Sequence, residues 1–116
     1  MCNKAKPGEF WTSERCYIRE LLNNDSSPEV SIARARVEPG VTTQLHALAV
    51  AEWYVIESGS GLMTVGEAAP RDVGAGDTVS IPRGVPQRIQ NNGDCDLIFL
   101  CVCVPRFLLR HYTSLE

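Results

Sequence analysis

Turn residues interrupt this chain roughly every 8 to 12 residues, and the pieces between them are short and rich in β-branched or alternating apolar residues. The breaks are Pro39 with Gly40, the ESGSG run at 57–61, the loop at 66–70, GAGD at 74–77, PRGVP at 82–86 and NNGDCD at 91–96. No interval holds a long amphipathic helix, so the chain is expected to be an all-β sandwich or barrel. Eight to ten strands are expected, at 10–11, 16–22, 30–37, within 40–59, and at 62–65, 71–73, 78–81, 87–90 and 97–104. The unbroken apolar run at 97–104, LIFLCVCV, reads as a strand covered on both faces. Residues 62–65 read as the return strand of a hairpin across the 57–61 turn. The tail after Pro105 reads as a short helix or a cap. The chain has 116 residues, enough for one domain: a flexible N-terminal segment at 1–9 and a single barrel over 10–116.

Within 40–59 the chain carries its most informative chemistry. His46 and Glu52 stand an even number of residues apart in an apolar, strand-like stretch. Side chains alternate along a strand, so His46, Leu48, Glu52, Tyr54 and Ile56 share one face if no bulge intervenes. Buried imidazole and carboxylate groups must be paired, hydrogen-bonded or metal-bound. Tyr54 shares that face and Trp53 does not, which makes the Tyr54 hydroxyl a candidate ligand contact.

Other features are read more plainly. Arg34 and Arg36 share one face of their strand and form a solvated or subunit-facing surface, with an anion site inside the barrel as the alternative. Asp77 and Asn91 read as turn residues, Arg88 points away from the interior, and His111 is a surface histidine rather than an added ligand. The five cysteines are odd in number and match no common zinc spacing. They read as buried small hydrophobes, with Cys101 and Cys103 on one strand face, and not as a disulfide framework. Net charge is −3 with no basic stripe, which gives no support to a nucleic-acid partner. No apolar run is long enough to span a membrane and the first ten residues carry no secretory pattern, so a cytoplasmic protein is expected.

The spacings around these residues resemble the cupin family. Gly40, five residues, His46, Ala47, Leu48, three residues, Glu52, six residues and Gly59 follow its first motif. Gly76, five residues, Pro82, Arg83, Gly84, two residues, Gln87, three residues and Asn91 follow its second. The resemblance implies a double-stranded β-helix, or jelly-roll barrel, and a small-molecule pocket inside it. It also implies a divalent metal (Fe, Mn, Zn or Ni) on ligands from both motifs, and oxygenase or isomerase chemistry. Two positions depart from the pattern: Leu48 and Gln87 stand where the family has histidines. The implied metal set is therefore His46, Glu52 and Gln87, with His46, Glu52 and Tyr54 as catalytic candidates. Three alternatives stay open: a metal-dependent enzyme, a metal-independent binding or sensing module, and a polar cluster that only satisfies itself. The resemblance further implies a homodimer, with 10–11 extending a neighbour's sheet edge.

Overall fold

The computed structural model describes residues 6–116. Eleven strands are present among them: β1 Phe10–Trp11, β2 Tyr17–Leu22, β3 Ser31–Val37, β4 His46–Leu48, β5 Ala51–Ser58, β6 Ser60–Val65, β7 Arg71–Gly74, β8 Thr78–Ile81, β9 Gln87–Gln90, β10 Leu97–Val104 and β11 Tyr112–Ser114. They form two antiparallel sheets, one of six strands in the order β1-β2-β3-β10-β5-β8, the other of five in the order β11-β4-β9-β6-β7. The all-β expectation holds. No helix among the described residues is long and apolar enough to cross a membrane, which leaves strand-built spans unaddressed.

Alternation does most of the folding work. Glu52, Tyr54 and Ile56 in β5, Val79 and Ile81 in β8, and Gln87 and Ile89 in β9 are all buried, while most of their neighbours in sequence are more exposed. The 46–56 row is not one strand, however. β4 belongs to the five-stranded sheet and β5 to the six-stranded one, with a bend at Ala49 and Val50 between them. The bend spans two residues, so parity is kept, and His46, Leu48, Val50, Glu52, Tyr54 and Ile56 all point inward from two facing sheets.

The hairpin expected across 57–61 does not form. β6 pairs with β7 and β9, whereas β5 pairs with β10 and β8. At Gly59 the chain passes from one sheet to the other instead of folding back. Its φ is +87°, and a Cβ there would lie 2.6 Å from the Asp96 carbonyl oxygen and 2.9 Å from the Leu97 Cα, so only glycine fits the crossing.

The tail is a cap with a strand in it. A single 3-10 turn, Leu109–His111, leads into β11, which pairs with the edge of β4. His111 is partly buried; its Nδ1 accepts from the Leu108 N–H at 3.0 Å. Asn91 and Asp77 hold turns as expected. Asn91 Nδ2 donates to the carbonyls of Val37 and Cys95 and its Oδ1 accepts from the Gly93 N–H, while Asp77 accepts from the Gly74 N–H.

Arg34 and Arg36 are neither solvated nor inside the barrel. Parity sends Ala33 and Ala35 toward the interior and the two arginines to the opposite face of β3, where Glu9 covers them. Glu9 accepts from Arg34 Nη1 at 3.1 Å and from Arg36 Nη2 at 2.9 Å, and Arg36 Nη1 reaches Asp96 at 3.2 Å. The Arg36 guanidinium also lies over the Tyr17 ring, 4.3 Å from its centroid. These charges bury one another, so the face is closed and not a landing site for an anion.

The cysteine expectation is corrected at one position. Cys16, Cys101 and Cys103 are free thiols, but Cys95 is disulfide-bonded. Cys2 lies outside the described residues.

Candidate functional site

A cavity of about 480 Å³ lies between the two sheets. The six-stranded sheet contributes Glu52 and Tyr54 from β5, Phe99, Cys101 and Cys103 from β10, and Ala33 and Ala35 from β3; the five-stranded sheet contributes His46 and Leu48 from β4 and Tyr112 from β11. Elsewhere Met63, Val73, Val79, Ile89 and Leu97 fill the space between the sheets as solid core.

Glu52 is 5% exposed and sits in a chain of side-chain hydrogen bonds. Tyr54 OH donates to Gln87 Oε1 at 2.5 Å, Gln87 Nε2 donates to Glu52 Oε1 at 2.7 Å, and the Cys103 thiol donates to Glu52 Oε2 at 3.6 Å. Burial dominates the carboxyl's titration and pushes it up to about 7, with the negative charge of Glu14 adding to the rise and the Gln87 amide and the two nearby thiols opposing it. Near neutral pH this group is thus divided between acid and carboxylate. The thiols themselves are held neutral: burial raises Cys101 and Cys103 well above an ordinary cysteine, and Cys16 to about 12.

His46 is 2% exposed. Its Nδ1 lies 2.7 Å from the Gln44 carbonyl oxygen, and because a carbonyl only accepts, Nδ1 carries the proton. Nε2 is left facing the cavity, 3.8 Å from Glu14 Oε2. The ring stacks on Tyr112, with centroids 4.9 Å apart at 15°, and the Tyr112 hydroxyl donates to Gln44 Oε1 at 2.5 Å. The tail strand therefore holds the histidine from behind.

Glu14 is the site residue that sequence reading missed. It lies in the loop between β1 and β2, and its side chain is 25% exposed at the rim of the cavity. Burial raises its carboxyl, against the pull of His46. The next residue, Arg15, has a positive φ of 72°, and its side chain turns outward to donate to the Thr42 carbonyl at 2.9 Å and to pair with both oxygens of Glu116. Left-handed backbone at a non-glycine residue is strained and persists only where the surroundings hold it. Here two side-chain anchors and the Gln44 N–H, which donates to the Glu14 carbonyl, hold the loop so that Glu14 faces inward.

The structure thus brings His46 from one sheet and Glu52 and Tyr54 from the other to the lining of one cavity. Gln87 stands behind them, fully buried, in register with His46 across the β4–β9 pair. The family model for the cupin domain matches residues 33–103, which is most of the barrel. This chain belongs to the cupin family. Among curated relatives this cupin is 37% identical to an uncharacterised protein of Methanocaldococcus jannaschii over 109 residues, covering 90% of this chain and 84% of that one. It is 33% identical to the oxalate decarboxylase of Bacillus subtilis over 91 residues, covering 74% of this chain but only 24% of the enzyme. Solved structures agree. The oxalate decarboxylase of Lactobacillus farciminis superposes with a TM-score of 0.79 at 25% identity, over 92% of this chain and 33% of that one. A double-stranded β-helix protein of Klebsiella pneumoniae superposes at 0.75 over 98% and 90%; at 16% identity it speaks for the fold alone.

The implied metal set is not met by this cupin's donors. Leu48 occupies a cavity position with no lone pair. The Gln87 amide is engaged at both ends, its oxygen by Tyr54 and its nitrogen by Glu52, so its carbonyl is not presented to an ion. Among the described residues no group of three His, Cys, Asp or Glu side chains converges well enough to hold a metal. Gln87 is a bridge between Tyr54 and Glu52, where a ligand was expected.

Proposed function

We propose that this cupin is a small-molecule-binding protein that holds its ligand in the cavity between the sheets and can exchange protons with it through His46 and Glu52. The observation that carries this reading is the cavity itself: apolar walls from Phe99, Leu48, Ala33 and Ala35, with two buried titratable groups from two different sheets on its surface. A concave, mostly apolar pocket with a few convergent polar groups is the usual form of a small-molecule site. His46, with its proton on Nδ1, offers Nε2 as a base. Glu52, titrating near neutrality, serves as acid or base with little driving-force penalty. Tyr54 acts on Glu52 through Gln87, as a positioning residue. No step passes through a metal, because the donors do not fit one. The chemistry this arrangement suits is proton relocation on a bound molecule, the isomerase side of what the family resemblance implies.

The test is a melting-temperature screen of the purified protein against a small-molecule library, repeated with Ala33→Phe, which fills the cavity. A ligand that raises the melting temperature of the wild type and not of the variant supports the reading. No shift with any ligand, or a shift that survives Ala33→Phe, overturns it. A cytoplasmic setting and a homodimer belong to the same proposal. Phe10 and Trp11, about half exposed on edge strand β1, support the dimer, and a monomeric mass by light scattering at all concentrations refutes it.

A further inference from the structure

The cavity's charged atoms are of one sign, and several of its acceptors are unengaged. Four of the inward hydroxyls already donate to the protein: Tyr54 to Gln87, Tyr112 to Gln44, Thr43 to the Ile89 carbonyl and Thr12 to the Cys16 carbonyl. Beside the Ser13 and Ser31 hydroxyls and the cysteine thiols, three acceptors face the cavity with little or no engagement. Glu52 Oε2 has only a thiol at 3.6 Å, Glu14 has no hydrogen bond to its carboxylate among the described residues, and His46 Nε2 makes none either. His46 is almost wholly buried, and the small exposure it keeps is toward the cavity, where a ligand can meet Nε2. Charge points the same way. Glu14, Glu20 and Glu52 line the cavity and no lysine or arginine does among the described residues. The nearest arginines of β3 are on its other face, bound to Glu9 and Asp96. The walls, meanwhile, are rich in aromatic rings: Phe10, Tyr54, Phe99, Phe107 and Tyr112.

We infer that the ligand of this cavity is a cation with N–H donors on an apolar body, an alkyl or aryl ammonium compound, seated with its head between Glu52, Glu14 and His46. This rests on the proposal that the cavity binds a small molecule, and it names the class. The ammonium protons meet acceptors that otherwise have a thiol partner or none, the aromatic walls favour a cation, and the apolar remainder packs on the Leu48 and Ala35 side. A carboxylate placed there meets the acidic side chains of Glu14, Glu20 and Glu52 and no lysine or arginine among the described residues. The substrate that names the relative oxalate decarboxylase is therefore of the wrong sign for this cavity.

The experiment uses matched heads on one body: cyclohexylmethylamine, cyclohexylmethanol and cyclohexanecarboxylate, with the benzyl series beside them, titrated by calorimetry into the wild type, Glu14→Gln and Glu52→Gln. The ammonium compound is expected to bind at least about tenfold tighter than the alcohol, with the carboxylate weakest and the preference reduced in both variants. Glu14 is on the rim, so Glu14→Gln remains informative if Glu52→Gln folds poorly. An alcohol or carboxylate that binds as tightly as the amine overturns the inference and leaves cavity binding intact. An amine preference unchanged in both variants places the amine elsewhere and also overturns it. No binding in either series removes the inference together with the cavity reading beneath it.

Discussion

Gln87 Nε2 and Glu52 Oε1 are 2.7 Å apart, and the same amide takes the Tyr54 hydroxyl on its other atom. A residue that stands where its family carries a metal-binding histidine has become the link between a strand of one sheet and a strand of the other. All three side chains are buried, so the link has no water to fall back on.

Removing it is expected to be costly. Gln87→Leu keeps the volume but orphans a buried hydroxyl and a buried carboxyl, and stability should fall by about 2 to 4 kcal/mol. Denaturant unfolding measures this. A loss within error of zero would mean that neither group depends on the amide.

Glu52 makes stability depend on pH in a definite direction. Its carboxyl binds its proton more tightly folded, near 7, than unfolded, near 4.5. Between those values the native state holds the extra proton. The contribution of this residue is therefore fully present below about 4.5 and is lost as pH rises to about 7, a change of roughly 3 kcal/mol by linkage. Burial of Glu14 adds in the same sense. Unfolding free energies of wild type and Glu52→Gln, compared from pH 4 to pH 8, should diverge along that slope. Parallel curves would show that Glu52 titrates normally.

Metal affinity should be recoverable by two changes. In wild type Leu48 is inert and Gln87 is engaged. The double variant Leu48→His, Gln87→His restores the family's residues beside His46 and Glu52, and should retain a first-row divalent ion through chelator-free purification while wild type does not. Elemental analysis decides it. Near-stoichiometric metal on wild type would show that Gln87 releases Tyr54 and turns its carbonyl inward.

Arg15 is expected to set the aim of Glu14. Arg15→Ala keeps the strained φ of 72° but drops the anchors to Thr42 and Glu116. The loop should loosen, with faster amide exchange at Glu14 and Cys16 and weaker binding of any ligand that contacts Glu14. Arg15→Gly relieves the strain but loses the same anchors, and should fall between the two in stability. Unchanged exchange in Arg15→Ala would show that the hydrogen bond from Gln44 suffices.

The legible part of the site follows from parity. His46, Glu52 and Tyr54 could be placed on one interior face because even separation survives even a change of sheet, provided the bend spans an even number of residues, as Ala49 and Val50 do. The 57–61 turn misled because glycine-rich turns look alike whether the chain folds back on itself or crosses to the facing sheet. Which occurs depends on Gly59 meeting the backbone of Asp96 and Leu97, almost forty residues on. Arg34 and Arg36 were correctly given a shared face, but nothing local says that Glu9 will lie over it.

What the order of amino acids decided alone was the all-β character, the family and the inward row of His46, Leu48, Glu52 and Tyr54, because alternation and turn spacing are local properties of a pleated chain. Tertiary packing decided everything about partners. It gave the Gln87 amide to Tyr54 and Glu52, brought Glu14 to His46 through a residue with left-handed backbone, and laid Tyr112 of the tail against the imidazole. Those contacts join positions far apart in the chain, and hydrogen bonds and charges act over a few ångströms of space whatever the distance in sequence.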